Sequence, residues 1–326
     1  MTTRRTLIQA GISSPLVAWL AGAQAQTQTF PSKPMTLAVG FGPGGGGDIV
    51  ARRVAQKISE ITGQPMVVEN RPGAGNAAAA QSVLQAKHDG HAMLLTGNGS
   101  AISSVLFRKL PYDLNRDFRH VSSLASFDLG LIVDPQSRFN SIKDVLAFAK
   151  ASPGKLSIGT SRVGSTQHLA AELFKSMAGI DAISIPYKTT GDMLTAIRAG
   201  DVPVAFEILS PILGQIKGKS VKVLAVTAGS RFPGLPDVPT LSESGLPGFE
   251  AASWAGVSVP ADTPTSLVME LSRIINQAVA APDVQQSLQA VGYIAKASTP
   301  EEMAQRIRQD ATKWKTVIEK SGIPLE

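Results

Sequence analysis

From Met35 onward, short apolar runs alternate with longer stretches in which apolar positions recur three or four residues apart. The short runs predict strands at Met35–Phe41, Met66–Glu69, Ala92–Thr96, Gly130–Val133, Leu156–Gly159, Ala182–Pro186, Val204–Ile208, Val221–Thr227 and Gly256–Val259. The longer stretches predict helices at Asp48–Ile61, Ala77–Lys87, Ile142–Ala151, Thr166–Ala178, Thr190–Ala199 and Leu213–Gly218. Two longer, polar-faced helices are expected at Thr265–Ala281 and Glu301–Lys320. Strands alternating with helices in this way indicate an α/β fold around mostly parallel sheets.

Two zones rich in Pro and Gly interrupt the alternation, Arg108–Asp117 and Arg231–Gly248. They are expected where the chain leaves one lobe and returns to it. The segment after the second zone holds one strand and two helices, which is small for a separate domain. It is therefore expected to pack back on the first lobe, giving lobe one as 27–125 plus 250–326 and lobe two as 126–249.

The first 25 residues follow a different pattern. Arg4 and Arg5 precede a short apolar stretch broken by Ser13, Ser14 and Pro15, and Ala23-Gln24-Ala25 follows. That order is the layout of a cleavable signal peptide, spanning residues 1–25. Thr3-Arg4-Arg5-Thr6-Leu7 also resembles a twin-arginine signal, so general secretory and twin-arginine export both stay open. The apolar stretch is too short to span a bilayer, and a soluble mature protein is expected.

Composition narrows the chemistry. With 43% hydrophobic and 17% charged residues the chain can bury substantial cores. It has no cysteine, which removes disulfides, thiolate metal sites and a cysteine nucleophile. Loss of residues 1–25 takes away Arg4 and Arg5 and no acid, so the formal charge of +6 falls to +4. A modest positive field favours anionic ligands. With 5% aromatics and no Lys/Arg run, nucleic acid is not an expected partner.

The strongest local feature is Gly40-Phe41-Gly42-Pro43-Gly44-Gly45-Gly46-Gly47-Asp48, directly after a strand and directly before a helix. Glycines there expose consecutive N–H groups beside the positive end of the helix, an arrangement that holds an anion. The Gly-Lys-Ser/Thr ending of a P-loop is missing. Asp48 would repel phosphate, and as a first-turn acid it also suits a structural cap. A second loop of the same kind runs from Gly159 through Thr160, Ser161, Arg162, Val163, Gly164 and Ser165 to Thr166. Ser165 is a candidate N-cap, which leaves other N–H groups free for ligand.

Arg162 is the one cation in these loops, and its planar fork can pair a carboxylate bidentately. The four histidines show no metal-ligand spacing: His88 and His91 flank a turn, His120 precedes a strand, and His168 lies one turn into the helix after the second loop. His168 is weighed as a structural hydrogen-bonding group near the cleft and as a ligand contact. Ser161 lacks the second glycine of a Gly-x-Ser-x-Gly elbow and Ser100 lacks both, so no nucleophile arrangement is found. An enzyme is not expected, and no cofactor or metal is implied.

The chain resembles the extracytoplasmic receptors of tripartite tricarboxylate transporters, often called Bug-type proteins. The likeness runs from about Phe30 to Gly292. It rests on Pro31–Leu37, the Gly-rich loop with Asp48–Arg52, Val67–Gly75, Leu110–Asp113, Gly164–Phe174, Ile185–Lys188, Leu224–Thr227 and Leu235–Thr240. The resemblance implies a two-lobed periplasmic binding protein of the Venus-flytrap, type II-like kind, each lobe a mixed sheet flanked by helices. It implies a carboxylate held at the Gly-rich loop, partly through water, with a second polar end at the loop before His168. Carried over by position, the pocket residues are Phe41, Gly42, Pro43, Gly47, Asn98, Ser100, Thr160, Arg162, Ser165, Thr166, Tyr187 and Glu207, with His168 as a further candidate.

Four positions depart from the usual family pattern: Gly47 where Thr or Ser is common, Arg162 and Thr189 where Gly is usual, and Glu207 where Asp is frequent. Loss of a hydroxyl at Gly47 with gain of a guanidinium at Arg162 leans toward a bulkier or longer dianion, such as an aromatic dicarboxylate. The expected role is a monomeric receptor that delivers its ligand to membrane permease subunits. A sensor that docks on a membrane kinase needs the same cleft, and a periplasmic enzyme would turn its ligand over.

Overall fold

The computed structural model describes residues 30–40 and 42–326. The expected signal peptide and the candidate Phe41 lie outside them. In chain order the first elements are β1 (Met35–Val39), α1 (Gly46–Thr62), β2 (Met66–Asn70), α2 (Ala77–Leu84), β3 (Ala92–Gly97) and α3 (Asn98–Leu106). Next come β4 (Phe118–Phe127), β5 (Leu129–Val133), α4 (Ile142–Ala151), β6 (Leu156–Thr160), α5 (Thr166–Ala178), β7 (Ala182–Pro186), α6 (Thr190–Ala199) and β8 (Val204–Ile208). The last are α7 (Leu213–Lys217), β9 (Lys222–Val226), β10 (Ser253–Pro260), α8 (Thr265–Ala280), α9 (Pro282–Ala290), β11 (Tyr293–Ala295) and α10 (Pro300–Lys320).

The strands form two sheets with nearly the same plan. The first has the order β11-β4-β10-β3-β1-β2 and the second β7-β6-β8-β5-β9. In each, the first strand of the unit, β1 or β6, lies between two parallel neighbours, and the strands beyond them run antiparallel. Both sheets are therefore mixed. The chain turns one way from β1 to β2 and the other way to reach β3. That reversal leaves a crevice at the carboxyl ends of β1 and β3, where open α/β sheets bind ligands. The same reversal recurs at β6 and β8.

Each sheet carries helices on both faces. Val50, Val54 and Ile58 of α1 pack with Leu271, Ile274 and Ile275 of α8 over the first sheet. Leu169 and Phe174 of α5 pack with Val145 of α4 over the second. Ile102 and Leu106 of α3 and Trp314, Val317 and Ile318 of α10 join this second core, although both helices flank strands of the first sheet in sequence. The chain passes between the sheets at Gly97–Asn98, at Phe127–Leu129 and at Ala251–Ser253, where β3, β4 and β10 lie side by side. The zone Arg231–Gly248 stays on the second sheet, with Phe232, Leu241 and Leu246 buried there.

Four elements escape the hydrophobic pattern: β4, α3, β11 and α9 (Pro282–Ala290). The strand β4 reads FRHVSSLASF, and its polar side chains hide the alternation. They are buried because partners wait for them: Ser122 donates to Asn276 Oδ1 at 2.7 Å and Ser123 to the Lys296 carbonyl at 2.7 Å. His120 therefore lies inside this strand, not before it, 2.9 Å from Ser258 Oγ. The helix α3, NGSAISSVL, is too rich in Gly and Ser to show a helical stripe. The short β11 is held by pairing with β4.

Candidate functional site

Helix starts supply the donors. Gly45 is the N-cap of α1 and makes no side-chain cap bond, so the first N–H groups of the helix, those of Gly46 and Gly47, are left without intrahelical acceptors. Asp48 does not face the opening. It is buried and accepts the Gly44 N–H at 2.9 Å, Asn70 Nδ2 at 2.7 Å and the Arg52 guanidinium at 3.0 Å. Burial opposes its ionisation, but the bonds from Arg52, Gly44 and Asn70 outweigh burial and hold its carboxyl below the usual range. Asp48 thus ties the Gly-rich loop to β2 in the structural role that its first-turn position suggests.

The second loop ends the same way. Ser165 is the N-cap of α5, its Oγ accepting the His168 N–H at 3.1 Å. His168 Nδ1 accepts the Gly164 N–H at 3.3 Å, so this imidazole braces the loop from behind. Desolvation disfavours its protonation, lowering its pKa despite Glu172 nearby. Gly164 has φ +73°, and a Cβ there would meet Leu106 Cδ2 at 2.5 Å, so any other residue is strained there.

A third helix start lies between these two. Gly97 leads into α3, and a Cβ on it would overlap the carbonyl of Trp254 in the neighbouring strand β10. Asn98, fully buried, donates to Thr166 Oγ1 at 2.9 Å and accepts Trp314 Nε1 at 2.7 Å. Asn98 therefore joins the starts of α3 and α5 to the end of α10.

The three starts converge on one cavity of about 690 Å³ between the two sheets, within the usual size of small-molecule sites. Its polar wall includes Gly46, Gly47, Gly99, Ser100, Ser165 and Thr166. Arg162, exposed at the rim, is the one cationic side chain among its lining residues. The rest of its lining is largely apolar, with Leu95, Ile102, Leu106, Phe127, Ile208 and Trp254. Three helix dipoles and a guanidinium favour negative charge, and the apolar lining favours a carbon skeleton beside it.

Of the residues expected from sequence, Gly47, Ser100, Arg162, Ser165 and Thr166 line this cavity together. Asn98, His168, Thr160 and Glu207 lie behind its wall and hold it. Thr160 Oγ1 donates to the Ser161 carbonyl at 3.0 Å. Glu207 accepts Gln167 Nε2 at 2.9 Å, Thr190 Oγ1 at 2.9 Å and the Ile208 N–H at 2.7 Å. Burial raises its pKa, and these bonds offset part of the rise. Gly42 and Pro43 are not among the lining residues, and Tyr187 packs instead against the cluster around Met193 and Ile197 of α6.

Sequence reasoning missed Gln167, Asn76 and the apolar wall. Gln167 stands inside the Gly164–Phe174 motif but has no charge to mark it. Trp254 and Phe127 reach the cavity only through the pairing of β10 and β4. Among the described residues no group of three or more His, Asp or Glu side chains is placed to hold a metal ion, and no helix is long and apolar enough to cross a membrane.

Comparison with known proteins adds an independent line. The sequence model of the tripartite tricarboxylate transporter family receptor matches residues 50–323. A protein of Pseudomonas sp. strain P51, named for the tcbD-tcbE intergenic region, is 36% identical over 96% of this chain and 94% of its own length. The solved structure of Rpa4515 from R. palustris with adipate is 31% identical, covers 90% of this chain and 99% of that one, and superposes with a TM-score of 0.76. MatC from Rhodopseudomonas palustris with bound malate is 28% identical, covers 89% of this chain and 100% of that one, and has a TM-score of 0.72.

Proposed function

This chain belongs to the tripartite tricarboxylate transporter receptor family, and from that premise we propose that it captures a dicarboxylate with a sizeable apolar skeleton between its two sheets. It has the two-lobed fold of periplasmic binding proteins. The observation that carries the proposal is the convergence of the α1, α3 and α5 starts and Arg162 on one cavity whose remaining lining is largely apolar. A carboxylate at the helix starts replaces water with N–H donors already aimed at it. Charge-assisted hydrogen bonds contribute about 1.5–3 kcal/mol each, and micromolar affinity needs about 8 kcal/mol. Four or five contacts therefore cover binding after ordering costs, without covalent chemistry.

Two neighbouring structures hold dicarboxylates, adipate and malate. The apolar wall supports a longer or bulkier acid for this chain, aromatic dicarboxylates included. Export to the periplasm, a monomeric state and delivery to membrane permease subunits complete the proposal. The two sheets with their helices are the proposed lobes, and a ligand touching both favours their closed arrangement.

A thermal-shift screen of aliphatic and aromatic mono- and dicarboxylates tests the assignment, because a ligand that binds only the folded state raises its melting temperature. At least one dicarboxylate is expected to raise it by several degrees, and Arg162→Ala is expected to weaken that acid about tenfold. A flat response across the whole set would overturn the carboxylate assignment.

A further inference from the structure

The cavity contains a polar group that does not suit an anion. Gln167 is the second residue of α5, about nine-tenths buried at 8% exposure, and it lines the cavity. Its Nε2 donates to Glu207 Oε1 at 2.9 Å. Glu207 is the next-to-last residue of β8, before the lining residue Ile208, and takes two further donors, the Ile208 N–H at 2.7 Å and Thr190 Oγ1 at 2.9 Å. All three donors point at the Glu207 carboxyl oxygens, which act as their acceptors. The Gln167 amide is therefore locked with its nitrogen toward Glu207. Its carbonyl Oε1 lies on the other side of the planar amide and has no hydrogen-bond partner among the described residues. A carbonyl oxygen repels a carboxylate and needs a donor.

We propose that Gln167, oriented by Glu207, is a specificity-determining residue that selects a carboxylate ligand carrying a hydrogen-bond donor, such as a hydroxyl, on the part that faces the start of α5. This rests on the assignment of the cavity as a carboxylate site and says which acids it prefers. The α1 start and Arg162 take the charge, and Gln167 Oε1 takes the donor. An acid without the donor leaves Oε1 desolvated and unpaired, and such a loss costs about tenfold or more in affinity.

The test uses pairs of acids that differ by one hydroxyl: succinate and malate, and phthalate with its 3- and 4-hydroxy derivatives. Affinities are measured by calorimetry on the wild-type protein, Gln167→Leu and Gln167→Lys. The lysine keeps a donor toward Glu207 and removes the acceptor, so it remains informative if the leucine variant does not fold. The expected result is that at least one hydroxy acid binds wild type about tenfold more tightly than its parent, and that the ratio falls to about one in the variants. Equal binding of parent and hydroxy acids by wild type would overturn the role of Gln167 and leave the carboxylate assignment standing. A preference that survives in Gln167→Lys would overturn it too. Absence of binding by every acid would overturn the carboxylate assignment itself, and with it this inference.

Discussion

At the scale of single residues, the buried acid at one crossing between the sheets deserves a pH test. Asp128 joins β4 to β5, is 2% exposed, and its Oδ2 has no partner among the described residues. Desolvation, helped by the charge of Glu250, pushes its pKa up to about 6. Unfolded, it titrates near 4. Between these values the folded protein keeps a proton that the unfolded chain has released, so stability falls as pH rises through the window and the deficit is complete above it. Replacing Asp128 with Asn removes the deficit. Urea unfolding is expected to show Asp128→Asn gaining on the order of 1–3 kcal/mol at pH 8 relative to its effect below pH 4. A difference between variant and wild type that does not change with pH would contradict the assignment. Nothing in the local sequence marks Asp128, because its burial comes from its place between β4 and β5, where the chain passes from one sheet to the other.

At the scale of elements, α4, α5 and α6 match their sequence-based bounds residue for residue. Local signals set both ends: Ser141, Ser165 and Thr189 cap the starts through their side chains, and Gly179 and Gly200 close α5 and α6 in the left-handed conformation. The strands β7 and β8 also match, since apolar residues concentrate there. By contrast, α3 has weak local signals and depends on what it touches. Its first residue, Asn98, is held by Trp314 of α10 and holds Thr166 of α5. Trp314→Phe removes the indole N–H and leaves Asn98 Oδ1 buried without a partner. A loss of about 1–3 kcal/mol in urea unfolding is expected, with a weaker affinity for any bound dicarboxylate because the α3 and α5 starts lose their tie. An unchanged midpoint would show that the bond contributes nothing.

At the scale of the molecule, the cavity belongs to neither sheet alone. Gly46 and Gly47 come from α1 on the first sheet, while Arg162, Ser165 and Thr166 come from the second. A ligand held by both stabilises the arrangement in which they are close, by as much as it binds that arrangement better. Small-angle scattering is therefore expected to show a smaller radius of gyration on saturation with a dicarboxylate that raises the melting temperature. Binding seen by calorimetry without any such change would mean that the two sheets do not move.

The sequence by itself determined the α/β alternation, the capped helices, the two glycine and hydroxyl loops and Arg162, because each depends on residues a few positions apart: an apolar period, a cap, a backbone that must turn tightly. Only the tertiary structure decided that α3 and the end of α10 pack on the second sheet, that the polar strand β4 is buried, and that Trp254 and Phe127 wall the cavity. It also decided which way the Gln167 amide faces. Those features depend on partners far along the chain, Ser258 for His120, Trp314 for Asn98, Glu207 for Gln167, and the cost of burying a polar group is known only once its partner is in place.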